Sequence, residues 1–423
     1  MAKKGISVIG AASLGIGSMV GAGIFALLGE AGAIAGSATF ISFFLGGMVA
    51  LSSGYSYAKL GVKFPSTGGV IEYLLQGFGK NSFSATFSIL FICSGIISMA
   101  MVSKTFGTYA ASLFFDHSTN LHVSILTTAV IIFFVFINFI GSDIVSKAEV
   151  YIVVIKLTIL GIFMIAGMNY VNWSNFAADT FPPTNSVLGS LAITYFAYTG
   201  FAVITNTAGK MANPSKQLPR AIFLAIGFTI VLYIGLSLVV FGNLSVADVI
   251  KYKETALAEA AKPVFGAAGF ILISFAALLS TASSLNANLF STFQMSEEES
   301  NQGELSRKFT QHVWKNGTMG LLVIGFFVLV LANFVDLTTI ASLGSIATLT
   351  VTAIVHIGHF KIRKETGVST LGIIVSIVLN ITCISLFIAY TISSGQSYLF
   401  KALLFLISAC YIFEKWRLSG KHL

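Results

Sequence analysis

The chain of 423 residues is 56% hydrophobic and only 9% charged, which excludes a soluble protein. Its net charge of +8 raises nucleic acid as a partner, but no stretch is basic enough for that role. We expect the excess of Lys and Arg to reflect orientation in a membrane instead. The 3 Cys lie in apolar segments and give no disulfide framework.

Apolar runs between polar breaks predict an all-α membrane protein with about twelve transmembrane helices, in a single polytopic domain over residues 1–423. Each run is near the ~20 residues that a bilayer requires. We number the runs spans 1 to 12, and they cover residues 8–34, 38–60, 83–114, 123–141, 146–168, 187–209, 220–242, 264–292, 318–334, 337–359, 369–392 and 398–416. An even number of spans places both termini on one side of the membrane.

The distribution of basic residues predicts which side that is. Eighteen of the 24 Lys and Arg lie in the connections that share a side with the termini, and four lie in the connections of the other side. Because basic residues accumulate in cytoplasmic loops, we expect a multi-pass protein of the cell (plasma or inner) membrane with both termini cytoplasmic.

The stretch 15–25 in span 1 is rich in glycine, with four glycines in nine positions. Glycine is common in membrane helices because it allows close packing. We favour another interpretation, an unwound break at mid-membrane whose freed backbone groups face a cavity. The N–H groups of residues 21–23 would then suit a carboxylate, and the carbonyls of residues 17–19 an ammonium. Together they predict a site for the backbone of an amino acid.

Two connections hold more than spacer sequence. Residues 68–80 have the pattern of a short amphipathic segment on the cytoplasmic surface. Residues 246–262 form a polar, Ala-rich helical stretch on the outer side, for which a solvated loop helix and an external lid remain equally open.

Lys156 lies about ten residues into span 5, far from either interface. A charged Lys at that depth costs at least ~2.5–3.5 kcal/mol. One interpretation is a Lys that tethers neighbouring helices. We favour a proton carrier, because desolvation brings the charge change of a Lys toward physiological pH.

Span 6 contains a second candidate break at residues 195–201, where Gly200 follows an aromatic cluster. Irregular segments at matching positions of two halves are typical of transporter binding sites. We therefore expect residues 1–168 to form a first repeat and 187–360 an inverted second repeat. The two helices within residues 369–416 would lie outside both repeats.

Other polar residues of the spans invite blander interpretations. Lys104 is expected to snorkel toward the outer interface. His356 and His359 are expected to pack at the cytoplasmic interface near the end of span 10, in preference to proton transfer or metal binding. The sequence has no HExxH, CxxC or Walker-type pattern. We accordingly expect no enzymatic activity, no catalytic residue, no cofactor and no metal site.

Three segments in order along the chain resemble a known family. Residues 17–25 (Gly-Ser-Met-Val-Gly-Ala-Gly-Ile-Phe), 64–69 (Phe-Pro-Ser-Thr-Gly-Gly) and 213–222 (Asn-Pro-Ser-Lys-Gln-Leu-Pro-Arg-Ala-Ile) resemble motifs of the amino acid–polyamine–organocation (APC) permeases. Residues 154–161, around Lys156, resemble the proton-coupled amino acid transporters of that family. The resemblance covers nearly the whole chain and implies a LeuT-type 5+5 inverted repeat, with helices 1 and 6 broken and two C-terminal helices added, that works by alternating access.

The resemblance also implies roles for individual residues. In span 1, the N–H groups of Ala22 and Gly23, next to Gly21, would meet the substrate carboxylate, and the carbonyl of Met19 its ammonium. In span 6, the ammonium would meet the carbonyls of Phe196, Ala197 and Thr199. Phe196 stands where family members often carry an aromatic gate, although a Trp is more usual there.

A cation site is implied in the same way. In sodium-coupled members of the fold, a cation lies between the break of helix 1, helix 5 and helix 8. Ser283 and Ser284 of span 8 are the candidate neighbours at that place. The ammonium of Lys156 would stand in for the sodium, and losing its proton would undo the same contacts.

The functional expectation is a proton-coupled symporter of amino acids in the lipid bilayer. An amino acid exchanger and a sodium-coupled symporter remain alternatives, as does a sensor that binds amino acids without moving them. Apart from Glu30 and Asp336, the spans expected to line the pocket hold no carboxylate. We therefore expect small to medium neutral side chains as substrates. The sequence leaves the oligomeric state open.

Overall fold

The computed structural model describes residues 6–66, 68–140, 143–301, 307–314 and 317–419. The chain folds almost entirely into helices, as its apolar runs require, because a backbone in lipid must satisfy its hydrogen bonds within each segment.

The first five spans are long helices. They comprise Val8–Ala35, Thr39–Lys63, Ser82–Phe114, Asn120–Ile140 and Asp143–Gly167. The side chain of Ser7 accepts from the N–H of Gly10 and caps span 1, while Asn81 and Ser84 form a reciprocal capping box at the start of span 3.

Span 6 is interrupted where the sequence predicts it. Helical pieces Thr184–Gly189 and Leu191–Phe196 are followed by a 3₁₀ turn, Thr199–Phe201, and by the short helix Ala202–Thr205. The break within residues 195–201 is therefore confirmed.

The second half of the chain continues with long helices joined by short elements. Span 7 is Pro214–Asn243 and span 8 is Ala267–Asn301, and between them lie Val246–Lys251, Ala256–Glu259 and Lys262–Phe265. Strands His312–Trp314 and Gly317–Thr318 pair antiparallel, with His312 opposite Thr318. Spans 9 to 12 are Met319–Phe334, Leu337–Lys361, Thr370–Ser393 and Tyr398–Ser419, with the short helix Arg363–Thr366 between spans 10 and 11.

The described residues contain 9 stretches long and apolar enough to cross a membrane, besides shorter apolar helices. Span 9, Met319–Phe334, has 16 residues, fewer than the ~20 that cross a bilayer without adjustment. The fold is that of a multi-pass membrane protein, whereas the count of twelve and the inverted repeat stay predictions.

Span 1 forms the centre of the bundle. Met19, Val20, Ile24 and Leu27 are all at most 1% exposed, because spans 7 and 8 pack along this helix. Span 4 instead exposes large apolar side chains such as Phe133, which is 54% exposed. A helix that is apolar all round and covered by other helices lies in the protein core. A helix that exposes apolar side chains lies at the boundary with lipid.

The break expected in span 1 is not found. The helix runs from Val8 to Ala35 without interruption, so the prediction of an unwound segment at residues 17–23 is wrong for this conformation. The glycines allow close packing instead: a Cβ at Gly15 would overlap Ile204, and one at Gly21 would overlap Ser284. Glycine at these positions lets spans 6 and 8 approach the helix axis.

The two ends of the bundle are defined by contacts of span 1. The N–H of Ile6 donates to the carbonyl of Lys210 at 2.9 Å, so span 1 begins beside the end of span 6. At the other end, the Ser37 hydroxyl lies 3.4 Å from that of Thr180, just before span 6. Spans 1 and 6 are thus antiparallel. We call the side on which span 1 begins the N-terminal face, and the other side the opposite face.

The connections after spans 2 and 7 both pack against protein. The helix Val70–Phe78 buries Val70, Ile71 and Leu74 completely, so the expected position on a membrane surface is wrong for its apolar side. The segment after span 7 covers span 1 so closely that a Cβ at Gly29 would overlap the backbone of Lys253. It is a cover rather than a solvated loop.

Candidate functional site

A cavity of about 100 Å³ lies where spans 1, 2, 3, 6, 8 and 10 meet. This is room for a small solute, since a single water needs only about a tenth of that space. Of the residues predicted to bind substrate, five line the cavity, namely Met19, Gly23, Phe196, Ala197 and Thr199. The interrupted part of span 6 therefore faces span 1 across the cavity.

The cavity extends toward the N-terminal face. Its wall continues from Gly23 in span 1 to Val203 in span 6 and Met295 near the end of span 8. Both of the latter positions lie toward the N-terminal face, because spans 6 and 8 both run antiparallel to span 1 and end at that face.

Three consecutive carbonyl groups of span 1 accept hydrogen bonds from side chains of three other spans. Gly17 accepts from Nζ of Lys156 at 2.9 Å, Ser18 from the hydroxyl of Ser284 at 3.4 Å, and Met19 from the hydroxyl of Tyr233 at 2.6 Å. A carbonyl has two lone pairs and can accept such a bond while it remains in a helix. The carbonyls predicted to suit an ammonium are thus already met by polar donors.

Lys156 is completely buried, and its amine reaches the glycine-rich part of span 1. An amine can donate to the Gly17 carbonyl whether it is charged or neutral, but a bond from a charged donor is about twice as strong. The contact between span 5 and span 1 therefore depends in strength on the protonation of one side chain.

Tyr233 in span 7 joins the two halves of the predicted ammonium site. Its hydroxyl lies 2.6 Å from the carbonyl of Met19 and 3.3 Å from that of Ala197. Gly23 makes room for it, since a Cβ there would overlap the hydroxyl and lie 2.7 Å from the Ala197 oxygen. Sequence reasoning missed Tyr233; a Tyr in an apolar span indicates that a polar partner exists, but not which one.

Span 8 supplies the serines predicted beside a cation. Ser283 and Ser284 are both buried, and Ser284 bonds to the carbonyl of Ser18 as described above. The side-chain amide of Asn288 donates to the Ser284 hydroxyl at 3.4 Å and also lines the cavity. Span 8 therefore connects span 1 to the cavity wall through a short polar chain.

Two predicted site residues differ in placement from the others. Gly21 packs against Ser284 and is not one of the described residues that line the cavity. Ala22 lies within the continuous helix, and its side chain is outside the described residues. In such a helix, the N–H groups of residues 21–23 bond to carbonyls four residues earlier, so they are not open to a carboxylate in this conformation.

Charged side chains are absent from the cavity wall among the described residues. The carboxylate of Glu30, which is only 2% exposed, pairs with Nζ of Lys253 at 3.2 Å. Asp336 caps span 10 by accepting from the N–H of Thr339. Both carboxylates of the spans expected to line the pocket are therefore engaged away from the cavity wall.

The end of span 1 at the opposite face is covered by this ion pair, in which Glu30 is buried and Lys253 is half-buried. Nζ of Lys253 donates to the hydroxyl of Thr338 at 2.6 Å, which lies 3.2 Å from Glu30 Oε1. The three residues join the connection after span 7, the start of span 10 and span 1.

A bundle with a buried central helix, an interrupted partner helix and a small cavity between them defines a multi-pass membrane transporter. The family model described as amino acid permease matches residues 6–413, and the chain belongs to this family, within the APC superfamily. It is accordingly a permease and not an enzyme.

The chain is similar to several bacterial transporters. It is 34% identical over 398 residues to the inner membrane transport protein YbaT of Escherichia coli (strain K12), a match that covers 94% of this chain and 92% of that protein. It is 28% identical to the methylthioribose transporter of Bacillus subtilis (strain 168), over 83% of this chain and 79% of the relative. The serine/threonine exchanger SteT of the same organism is 27% identical, over 70% of this chain and 69% of the relative.

Proposed function

We propose that this permease is a proton-coupled symporter of small to medium neutral amino acids, with Lys156 as the proton-carrying group. The observation that supports the proposal most is the bond from the buried Lys156 amine to the Gly17 carbonyl, beside the cavity wall at Ser18. A single ionisable side chain there links span 5 to the segment of span 1 that faces the cavity.

Substrate binding requires span 1 to open at residues 21–23. Opening would release the N–H groups of Ala22 and Gly23 for a carboxylate, and it would free the carbonyls of residues 17–19 from their helical partners. The donors from Lys156, Ser284 and Tyr233 are in place on those three carbonyls. They lower the cost of opening, because an unpaired buried carbonyl would otherwise cost about 1–3 kcal/mol.

Proton coupling follows from the same bond. A protonated Lys156 holds the Gly17 carbonyl strongly and occupies the place that the resemblance assigns to sodium. After deprotonation the bond weakens, and span 1 is released from span 5. Proton loss and substrate release are thereby linked, since both depend on the position of span 1.

The position of the cavity and the expected membrane orientation fit transport into the cell. If the N-terminal face is cytoplasmic, the cavity extends inward as far as Met295, while the Glu30–Lys253 pair lies on the outer side. This orientation is supported by the excess of Lys and Arg on the side of the termini. The printed name of the Escherichia coli relative, an inner membrane protein, supports the cell membrane as the location.

The wall of the cavity supports neutral substrates. Once span 1 opens, an amino acid zwitterion would have both charges met by backbone groups of spans 1 and 6, whereas a basic side chain would enter a wall without carboxylates among the described residues. Such an unpaired charge costs several kcal/mol.

The test is uptake of labelled amino acids into proteoliposomes, with pH and sodium gradients imposed separately. We expect uptake to rise as outside pH falls and to be unchanged when potassium replaces sodium. Sodium-dependent uptake at constant pH would overturn the assignment of Lys156 as the cation.

Exchange is the second candidate, because a relative is named a serine/threonine exchanger. An obligate exchanger would take up label only into vesicles preloaded with amino acid. Uptake into empty vesicles driven by a proton gradient alone would exclude it.

A further inference from the structure

A continuous line of buried polar side chains runs from the cavity toward the N-terminal face. It starts at Tyr195, whose hydroxyl lies 3.5 Å from that of Ser53 in span 2. Tyr195 lines the cavity directly before Phe196. We call this line the histidine chain, and it consists of Tyr195, Ser53, His356, Ser56, His359 and Thr366.

The remaining links are hydrogen bonds of ordinary length. Ser53 Oγ lies 3.2 Å from Nε2 of His356, and Nδ1 of the same ring lies 3.0 Å from Ser56 Oγ. Ser56 Oγ lies 2.8 Å from Nδ1 of His359, and Nε2 of His359 lies 2.8 Å from Thr366 Oγ1. Thr366, which is half-buried, ends the chain beyond span 10.

The sequence did not indicate that both imidazoles are buried. His356 and His359 are each 0% exposed, and both lie near the end of span 10, where they pack inside the protein. Each ring uses both of its nitrogens within the chain. A tether between spans 2 and 10 would need only one bond from each ring, and a hydroxyl or amide would serve equally well.

The single hydrogen of the Ser56 hydroxyl determines how donors and acceptors are arranged along the histidine chain. Its oxygen contacts a ring nitrogen on each side, but its hydroxyl holds a single hydrogen, so it donates to one ring and accepts from the other. If both imidazoles are neutral, His356 and His359 must then carry their protons on different nitrogens. Two complete arrangements satisfy these bonds, one donating toward the cavity and one toward the N-terminal face.

We propose that the histidine chain conducts protons between the cavity and the N-terminal face. It is thus the route by which the proton taken up with the substrate leaves the protein. This proposal rests on the proton symport proposed above and adds a second set of residues to it, distinct from Lys156.

Each transfer along the chain is balanced. Tyr195 passes its proton to Ser53 and takes one from the cavity, and Ser53 passes its own to Nε2 of His356. His356 releases its Nδ1 proton to Ser56, which gives its hydrogen to Nδ1 of His359. His359 then releases its Nε2 proton at the Thr366 end. Every group finishes with the number of protons it had, and only the direction of donation is reversed.

Charges around the rings favour conduction over storage of a proton. Lys59 of span 2 lies near His359 and adds a positive charge. The uncharged ring of Tyr57 packs beside His356, and the ring of Tyr73 packs beside Tyr57. Cys383 of span 11 faces Tyr195. Among the described residues, no carboxylate bonds to either imidazole. A lasting imidazolium would be buried without a counter-ion, which is costly.

In the test, the whole protein is reconstituted into proteoliposomes with a pH-sensitive dye trapped inside. Net uptake of substrate is then compared with exchange of substrate. Ser56→Ala removes the link between the two rings, and His359→Gln keeps a hydrogen-bonding side chain that cannot accept a proton at one atom and release it from another. Ser52→Ala is the matched control, because its hydroxyl bonds only to the carbonyl of Val49 among the described residues.

We expect both variants of the chain to lower substrate-driven proton entry and net uptake by at least about tenfold. Counterflow of labelled for unlabelled substrate at equal pH moves no net proton, so it should stay within about twofold of the wild type. The Ser52→Ala variant should match the wild type in both assays.

The possible results separate the two proposals. If wild-type uptake brings no proton into the vesicles, symport and the chain are both overturned. If the wild type brings in protons and the Ser56→Ala and His359→Gln variants do so equally well, the chain alone is overturned. An equal loss of counterflow and net uptake in both variants would also overturn it, since that pattern indicates packing.

Discussion

The hydroxyl of Tyr233 lies 2.6 Å from the carbonyl oxygen of Met19, and the absence of a side chain at Gly23 makes this approach possible. Span 7 thereby contacts two residues of the cavity wall, Met19 in span 1 and Ala197 in span 6. Small changes at Gly23 should consequently disturb both the packing of the bundle and the site.

Gly23→Ala should abolish transport and destabilise the protein. The new methyl group would overlap the Tyr233 hydroxyl and lie 2.7 Å from the carbonyl oxygen of Ala197, and overpacking of this kind costs about 1–3 kcal/mol. The measurement is the melting temperature in detergent together with uptake in proteoliposomes. Gly227→Ala in span 7 is the matched control, because nothing lies within 4 Å of its added Cβ. Gly227→Ala should therefore keep both properties, and equal loss from the two substitutions would contradict the packing explanation.

Lys156→Ala should fold and insert but lose uptake driven by a proton gradient. Removal of the amine relieves the desolvation of a buried group, while it leaves the Gly17 carbonyl without the bond that links span 1 to span 5. Lys104→Ala is the matched control, since Lys104 also donates to a backbone carbonyl, that of Val335 at 2.7 Å, but at the end of span 9. The prediction fails if Lys156→Ala accumulates substrate as well as Lys104→Ala under an inward proton gradient.

Glu30→Gln should open the cavity toward the opposite face. The substitution removes the charge that holds Lys253 over span 1 at 3.2 Å and leaves the half-buried amine without its charged partner, which disfavours the state in which the pair forms. Opening can be followed by labelling Ala197→Cys, in a background without Cys93, Cys383 and Cys410, with a membrane-impermeant thiol reagent added to that face.

We expect faster labelling of the Glu30→Gln variant than of its parent. Glu259→Gln is the control, because the pair between Glu259 and Lys262 lies within one short segment and exposed pairs contribute only about 0–1 kcal/mol. Identical labelling rates in all three proteins would show that the ion pair does not hold the opposite face closed.

The sequence predicts this architecture well where a single segment determines the outcome. Apolar runs locate the helices, and the aromatic and glycine residues at 195–201 correctly mark the interruption of span 6. The continuous helix of span 1 was not predictable in the same way. Its glycines are explained by neighbours such as Ser284 and Tyr233, which come from distant parts of the chain.

Contacts between side chains of different spans were equally hard to predict from the sequence. Depth within an apolar run identifies Lys156 as unusual, but the bond to Gly17 depends on how spans 1 and 5 are packed. His356 and His359 sit near the end of span 10, which suggests an interface. Only the packing of span 2 against span 10 shows that Ser53 and Ser56 bond to His356 and that Ser56 also bonds to His359.

The last prediction concerns which substrates compete. The cavity wall offers backbone carbonyls, hydroxyl groups and the ring of Phe196, with no carboxylate among its described residues. Alanine, serine and leucine should therefore compete with a transported neutral amino acid, and their decarboxylated analogues should not, because an amine without a carboxylate cannot use the N–H groups of Ala22 and Gly23. Lysine, agmatine and putrescine should compete at least about tenfold more weakly, since one further unpaired charge costs more than the 1.4 kcal/mol that corresponds to tenfold in affinity. The measurement is inhibition of labelled uptake at fixed pH. If putrescine or lysine competed better than alanine, serine and leucine, the carboxylate-free wall would not describe the occupied site, and the protein would have to be assigned to cationic substrates.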